Sequence, residues 1–307
     1  MRFLSIREIE CLYDRTPKNT NTHVSYCREK LFEASLKNRL TKHEKESEFL
    51  TKMNRNLKSA FGETFSHMGE RFKVYHRAGR QHNYDFEMRC FSTKSDEAYT
   101  PIKLEYKTVQ SCSKMDIFEY PQLMSVSTES ERFGELFPDC HTSYLTHFYT
   151  YYLDEVCELV GADKPSEDAY LAWAKSTSKN KDHTEKLFAS IRYAYKTHQR
   201  AFRELARESL IEYVESVSID LDQLLRTFVE LNRDKYIVFQ CREHFEIQNC
   251  NRAFDLDTLR FTGYEKNRES IVVDTNAPFG IEIRFRWKNG QIRQNPAFDI
   301  VLFRKKK

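Results

Sequence analysis

Two stretches of alternating residues carry charges in a pattern that suits metal-assisted chemistry. In Asn83-Tyr84-Asp85-Phe86-Glu87-Met88, successive side chains of an extended chain point to opposite faces, so Asp85 and Glu87 share one face while Phe86 and Met88 share the other. The run Ile102-Lys103-Leu104-Glu105-Tyr106-Lys107-Thr108 sets Lys103, Glu105 and Lys107 against Ile102, Leu104 and Tyr106 in the same way. If the two strands pair, Asp85, Glu105 and Lys107 converge. Two carboxylates form an oxygen-rich site for Mg²⁺, a hard cation that takes few protein ligands and keeps several waters. A lysine two residues on can orient or deprotonate an attacking water while the cation polarises a phosphoryl oxygen. The competing reading has these charges on the wet face of an antiparallel sheet, with Glu87 and Lys103 a cross-strand ion pair of small worth. Glu105-Tyr106-Lys107 is the single acidic-x-Lys triplet in the chain.

The surrounding periodicity supplies elements to hold these strands. From about Cys27 to Phe65 apolar residues recur at helical spacing, through Leu31, Phe32, Leu36 and Leu40 and then Phe49, Leu50, Met53, Leu57 and Phe61. The period changes at Phe72, and Phe72–His76, Asn83–Phe91 and Ile102–Val109 read as three consecutive strands of a meander. Helical spacing returns from about Ser143 to Leu231, enough for three or four helices. Strands resume at Tyr236–Phe239, His244–Gln248, Ser270–Val273, Ile281–Trp287 and Pro296–Phe303. Asn289-Gly290 marks a tight hairpin turn between the last two, because both residues accept positive φ. The expected class is therefore α/β (α+β). Its expected divisions are a core at 27–130, a helical insertion at 140–232, and one remaining core strand with a β-rich basic C-terminal region at 233–307.

An Asp, a gap and Glu-x-Lys, on strands that follow an amphipathic helix, resembles the PD-(D/E)xK, or restriction-endonuclease-like, nuclease superfamily. The resemblance covers about Lys30 to Val126, with Tyr236 to Gln240 as a strand regained after the helical block. It implies a core of a helix, a three-stranded meander, a helix and a further strand. It also implies Mg²⁺-dependent hydrolysis of DNA phosphodiester bonds by a restriction-type endonuclease, with Mn²⁺ able to substitute. Asp85 and Glu105 become metal ligands, the backbone carbonyl of Tyr106 a third, and Lys107 the residue that positions water. Many members add an acidic residue from the preceding helix, for which Glu63 is the first candidate and Glu70 the second. Tyr84 stands where the pattern has proline, and no Gln-x-x-x-Tyr follows Lys107. Trp287-Lys288-Asn289-Gly290 with Asn295-Pro296-Ala297-Phe298 is similar to tails of nuclease-like proteins of large DNA viruses. Two alternatives stand beside this reading: a non-catalytic nucleic-acid-binding protein that keeps the fold, and an RNA endonuclease in which a histidine such as His76 or His82 joins the site.

Other candidates lie near the triplet and at the C-terminal end. Ser111, Ser113 and Lys114 could touch phosphate from a helix start, and Gln122 could reach the site from the same region. Between Val273 and Lys307 eight basic residues face three acidic ones, a local excess of five beside a whole-chain charge of +3. Arg284, Arg286 and Lys288 share one strand face with Trp287 at the expected tip, which suits a hairpin lying along phosphates. An edge hairpin protected by its basic residues is the plainer reading. Cutting both strands of a duplex takes two active sites, so a homodimer is expected.

Composition narrows the class. With 23 Phe, 17 Tyr and 2 Trp among 307 residues, the chain is too aromatic for intrinsic disorder. Its 8 cysteines form no CxxC pair, and the group Cys140, His141, His147 and Cys157 lacks zinc-site spacing. No secretion signal or apolar run of spanning length occurs, so the expectation is an intracellular protein, cytoplasmic or nuclear, with reduced thiols and no membrane partner.

Overall fold

The computed structural model describes residues 22–68, 71–77, 84–91, 101–118, 122–127, 137, 143–175, 190–191, 193–194, 197–287 and 296–305. Helices and strands mix as an α+β chain. The first helices are α1 (Thr22–Leu36), α2 (Lys42–Lys45) and α3 (Glu48–Phe65), followed by strands β1 (Arg71–His76), β2 (Phe86–Phe91), β3 (Ile102–Thr108) and β4 (Gln122–Ser127). Then come α4 (Tyr144–Tyr151), α5 (Leu153–Val160), α6 (Glu167–Lys175), α7 (Gln199–Ser216) and α8 (Leu221–Asn232). The remainder comprises β5 (Lys235–Cys241), β6 (His244–Asn249), α9 (Cys250–Phe254), β7 (Phe261–Asn267), β8 (Ser270–Thr275), β9 (Phe279–Trp287) and β10 (Pro296–Arg304). Among the described residues no helix is long and apolar enough to cross a membrane.

The chain divides into two compact units, one of residues 1–120 with 229–258 and one of 121–228 with 259–307. The expected region 233–307 is therefore split at Thr258, and its basic end belongs with the helical block. The helical block itself is richer than expected, with five helices among the described residues.

In the first unit the sheet order is β1-β2-β3-β5-β6. The three expected strands form the meander, and β5 then joins β3 in parallel, Lys103 beside Lys235 through Thr108 beside Gln240. The single helical stretch expected from Cys27 to Phe65 is broken. Asn38, at φ 54, takes the left-handed conformation that ends α1. Ser47 caps α3 by accepting the Leu50 N–H at 3.2 Å. From there α3 buries Leu50, Met53, Leu57, Phe61 and Phe65 at three- and four-residue intervals. Between β3 and β4 the described residues form a 3₁₀ turn, Cys112–Lys114, where the resemblance implied a full helix. The long helix ahead of the regained strand is α8.

One core joins these layers. Phe32 of α1 and Leu57, Phe61 and Phe65 of α3 pack on Phe86, Met88, Leu104, Tyr106, Tyr236 and Val238 of the sheet. The Phe32 ring stacks on Tyr106 with centroids 4.5 Å apart and meets Phe86 at 5.1 Å.

The second unit holds a sheet of order β4-β10-β9-β8-β7, in which sequence reading missed β4 and β7. β9 alternates cleanly, with Ile281, Ile283, Phe285 and Trp287 buried while Arg284 and Arg286 are exposed. Two expectations about its hairpin change. Trp287 is buried and donates its indole N–H to Tyr144 Oη at 2.9 Å, so it is no exposed tip. Trp287 also lies opposite Pro296, which leaves residues 288–295 between the strands. That register is incompatible with a two-residue turn centred on Asn289-Gly290, and the connection itself lies outside the described residues. Nor is the hairpin an edge, because β8 and β4 flank it.

Phe32→Ala removes the ring that ties α1 to β2 and β3 and is expected to cost about 3–5 kcal/mol of stability in a denaturant titration. Phe32→Leu, which keeps most of the volume, is expected to cost less than half as much.

Candidate active site

The meander brings two carboxylates within electrostatic reach of each other. β2 and β3 pair with Phe86 opposite Leu104 and Met88 opposite Ile102, and just ahead of that ladder the charge of Glu105 acts on Asp85. The Asp85 N–H donates to the Leu104 carbonyl at 2.9 Å, and Asp85 Oδ2 accepts the Tyr106 N–H at 2.8 Å. Strand β2 begins at Phe86, one residue later than the aspartate and three later than expected. The Asp85 side chain thus takes up an N–H of β3 that a longer β2 would have bonded. Because N–H and C=O of one strand residue point the same way, the Tyr106 carbonyl faces the space beyond the end of β2.

These carboxylates have opposite electrostatics. Burial pushes the Asp85 carboxyl up to about 6; Lys107 and the Tyr106 N–H pull the other way, and the charges of Glu105 and Glu29 add to the rise. Glu105 is deeper in its surroundings, and burial opposes its charge too. There the ammoniums of Lys235 and Lys107 more than offset burial and hold it below the usual glutamate value. Lys107 Nζ lies 2.7 Å from Glu105 Oε1, and Lys235 Nζ contacts Oε2. Lys235 is itself fully buried at the first position of β5. The sequence held a signal for it, since a lysine that opens the run Tyr236-Ile237-Val238-Phe239 and is buried with it must face some anion; the expected strand begins at Tyr236 instead. Cys250 lies close to both, its thiol pushed up to about 12 by burial, with Lys235 lowering and Glu105 raising it.

The helix contributes a different carboxylate from the one expected. Glu63 is exposed on α3 and accepts a hydrogen bond from Ser59 Oγ at 2.8 Å. Glu29 of α1, three residues ahead of the core anchor Phe32, is the helix residue whose charge acts on Asp85. His76 Nε2 is 2.9 Å from Glu29 Oε2, and the His76 ring packs on Phe86 at 5.1 Å. Arg28, next to Glu29 and buried, donates to Thr108 Oγ1 at 2.8 Å at the far end of β3. Glu70 and His82 lie outside the described residues. Glu29 lies on α1, whose Phe32 packs on Phe86 and Tyr106, and not on α3, from which the acid was expected.

Other expected residues fall elsewhere. Glu87 pairs with Arg89 at 2.6 Å and Arg77 at 3.2 Å, while Lys103 donates to the Glu230 carbonyl at 3.0 Å, so the cross-strand pair Glu87–Lys103 does not form. Lys114 is exposed in the 3₁₀ turn, where Ser111 caps by accepting the Ser113 N–H. Gln122 begins β4 of the second unit. Arg284 pairs with Glu282 at 2.7 Å and Arg286 with Asp299. With Arg268 they line an open cleft of about 590 Å³ in the second unit. Lys288 lies outside the described residues.

No group of three or more His, Cys, Asp or Glu able to hold a metal ion occurs among the described residues. The donors present are fewer: the Asp85 and Glu105 carboxylates and the Tyr106 carbonyl. Such a set fits Mg²⁺, which keeps most of its waters, and does not fit a cation that needs a full cage of side chains. Glu105 is charged and Asp85 has an oxygen beyond the Tyr106 bond, so both can serve.

Two outcomes follow from this electrostatics. The folded state holds the Asp85 proton more tightly than the unfolded chain, so Asp85 destabilises the fold above pH 6 and ceases to do so as pH falls through the ordinary carboxylate range. Asp85→Asn keeps the acceptor for Tyr106 and is expected to stabilise by up to about 3 kcal/mol at pH 8, a gain that vanishes below pH 4 in parallel urea titrations. Glu105→Gln leaves Lys235 buried without its carboxylate and is expected to cost about 3–5 kcal/mol. Adding Lys235→Met to Glu105→Leu is expected to recover most of what Glu105→Leu loses alone, measured as a double-mutant cycle.

Comparison with known proteins gave no match to a family model, a curated protein or a solved structure.

Proposed function

We propose that the chain is a Mg²⁺-dependent endonuclease that hydrolyses DNA phosphodiester bonds. The observation that carries this reading is the convergence of Asp85, Glu105 and Lys107 at the point where β2 begins, with the Tyr106 N–H holding Asp85 in place. Asp85, Glu105 and the Tyr106 carbonyl would hold the cation, whose chemistry when bound is polarisation of a phosphoryl oxygen and stabilisation of the leaving oxygen. Lys107, on the same strand face as Glu105, is the group that orients the attacking water and accepts or releases its proton. Glu29, steadied by His76, stands on the helix side of Asp85 and adds negative charge to the cation's surroundings. Arg284 and Arg286 offer exposed guanidiniums to phosphates, in competition with Glu282 and Asp299. Duplex cleavage by a single site per chain makes a homodimer part of the proposal.

One observation favours a second reading, a nucleic-acid-binding protein without catalysis: both Glu105 oxygens already face an ammonium. A cation must compete with Lys107 and Lys235 for that carboxylate.

The test incubates the purified chain with supercoiled and linear duplex DNA, single-stranded DNA and RNA, in Mg²⁺ or chelator. Metal-dependent fragments of duplex DNA are expected, falling at least about 100-fold in Asp85→Ala and in Lys107→Ala variants that remain folded. Cleavage that survives both substitutions rules out this site. Cleavage of RNA alone reassigns the substrate, and retention of DNA in chelator with no cleavage of any substrate favours the second reading.

A further inference from the structure

Two thiols sit where β3, the strand that carries Lys107, and β5 end side by side. Cys112 opens the 3₁₀ turn just after β3 and is exposed; Cys241 ends β5 and is buried. The β3–β5 pairing runs on past Thr108, with the Val109 N–H donating to the Gln240 carbonyl at 2.9 Å, and this brings the exit of one strand alongside the end of the other. There the Cys112 and Cys241 thiols are near enough to act on each other electrostatically. Cys241 also sits opposite His244 at the mouth of a hairpin whose turn residue Arg242 has φ 53, so its backbone is held on both sides.

We propose that Cys112 and Cys241 form a dithiol site that reacts with a low-molecular-weight disulfide such as oxidised glutathione to close an internal disulfide. The exposed Cys112 thiolate attacks one sulfur of the oxidant, forms a mixed disulfide and releases one glutathione thiolate. Cys241 gives its proton to solvent and attacks the Cys112 sulfur. The Cys112–Cys241 bond forms, the mixed disulfide breaks, and a second glutathione thiolate leaves. The protein loses two hydrogens and the oxidant is reduced to two thiols. Burial, and then the Cys112 thiol itself, hold the Cys241 thiol well above an ordinary cysteine, which makes the second step the slow one. Arg242 acts in the other direction and favours the Cys241 thiolate.

Position gives the bond its consequence. The chain leaves the first unit after Tyr120 and returns to it at Val229. Cys112 and Cys241 lie outside those points, so their bond closes the whole excursion into one loop and fastens the turn after Lys107 to the end of β5. This inference does not rest on the nuclease reading, and its test uses no nucleic acid.

The full chain is incubated with oxidised glutathione, acid-quenched, alkylated and mapped by mass spectrometry. The expected product links the Cys112 and Cys241 peptides, is short of two hydrogens, and returns to dithiol with dithiothreitol. Cys241→Ala is expected to stop at a glutathione adduct on Cys112, and Cys112→Ser to give neither product. Cys112 is exposed, so its serine variant keeps the test decisive if Cys241→Ala does not fold. A glutathione adduct that persists on Cys112 of the unaltered chain, or links that join other cysteines in preference, would overturn the proposal.

Discussion

Everything in the first unit turns on a strand with two incompatible faces. Ile102, Leu104 and Tyr106 are apolar or aromatic at every second position and have to meet the core of α1 and α3. Glu105, between two of them, is then carried to the opposite face, where it retains only 7% of its accessible surface. A charge taken out of water at that depth needs partners, and the two within reach are Lys107 on its own strand and Lys235 on the next. Stability does not explain this arrangement. A buried ion pair gives little net stabilisation compared with apolar side chains of the same volume, and a leucine–methionine pair would fill the space. Glu105 and Lys235 are buried together, with the half-buried Asp85 and Lys107 beside them, the kind of perturbed cluster that functional sites carry.

The same environment drives the two carboxylates apart. Asp85 has one backbone N–H and the distant pull of Lys107, and burial wins; Glu105 has two ammoniums, and burial loses. Lys107 acts on both, bonding Glu105 directly and drawing Asp85 down through space. A cation held between the carboxylates, as the proposed function requires, would compete with the Lys107 ammonium for Glu105. Paired titratable groups with divergent affinities for a proton are what acid–base chemistry at one pH requires.

Much of this was legible in the sequence, and the failures have physical causes. Alternation located β1, β2 and β3 and put Asp85, Glu105 and Lys107 on one face, because period-two patterning is local and unambiguous in a half-buried sheet. The breaks within the helical stretch were not visible, because Asn38 and Ser47 end and begin helices by backbone geometry that their neighbours' hydrophobicity does not reveal. β5 is buried at every position, so it has no alternation from which to read that Lys235 shares a face with Glu105. Glu29 and Glu63 are both acidic residues on amphipathic helices. What separates them is that Phe32 anchors α1 over Tyr106 and Phe86, contacts between residues 74 and 54 positions apart in the chain. The hairpin of β9 and β10 misled for the opposite reason. Asn289-Gly290 is a strong local turn signal, and the register is set instead by the burial of Trp287 against Tyr144.

The site is assembled from parts of very different reach along the chain. Asp85, Glu105 and Lys107 come together when β2 pairs with β3, which closes a short segment. Lys235 joins only when β5 docks, after the chain has passed through the second unit. For a flexible chain the difference between closing about 20 and about 130 residues is roughly 1.6 kcal/mol of loop entropy. The parallel β3–β5 ladder must supply that in addition to the cost of burying Lys235. Its register supplies a reason for holding: a shift of one residue would carry Lys235 to the core face with Tyr236 and Val238 displaced into the charged one. The Lys235–Glu105 contact thus acts as a register lock, the best-attested structural use of a buried polar pair. It couples the correct docking of β5 to the correct charge on the carboxylate it faces.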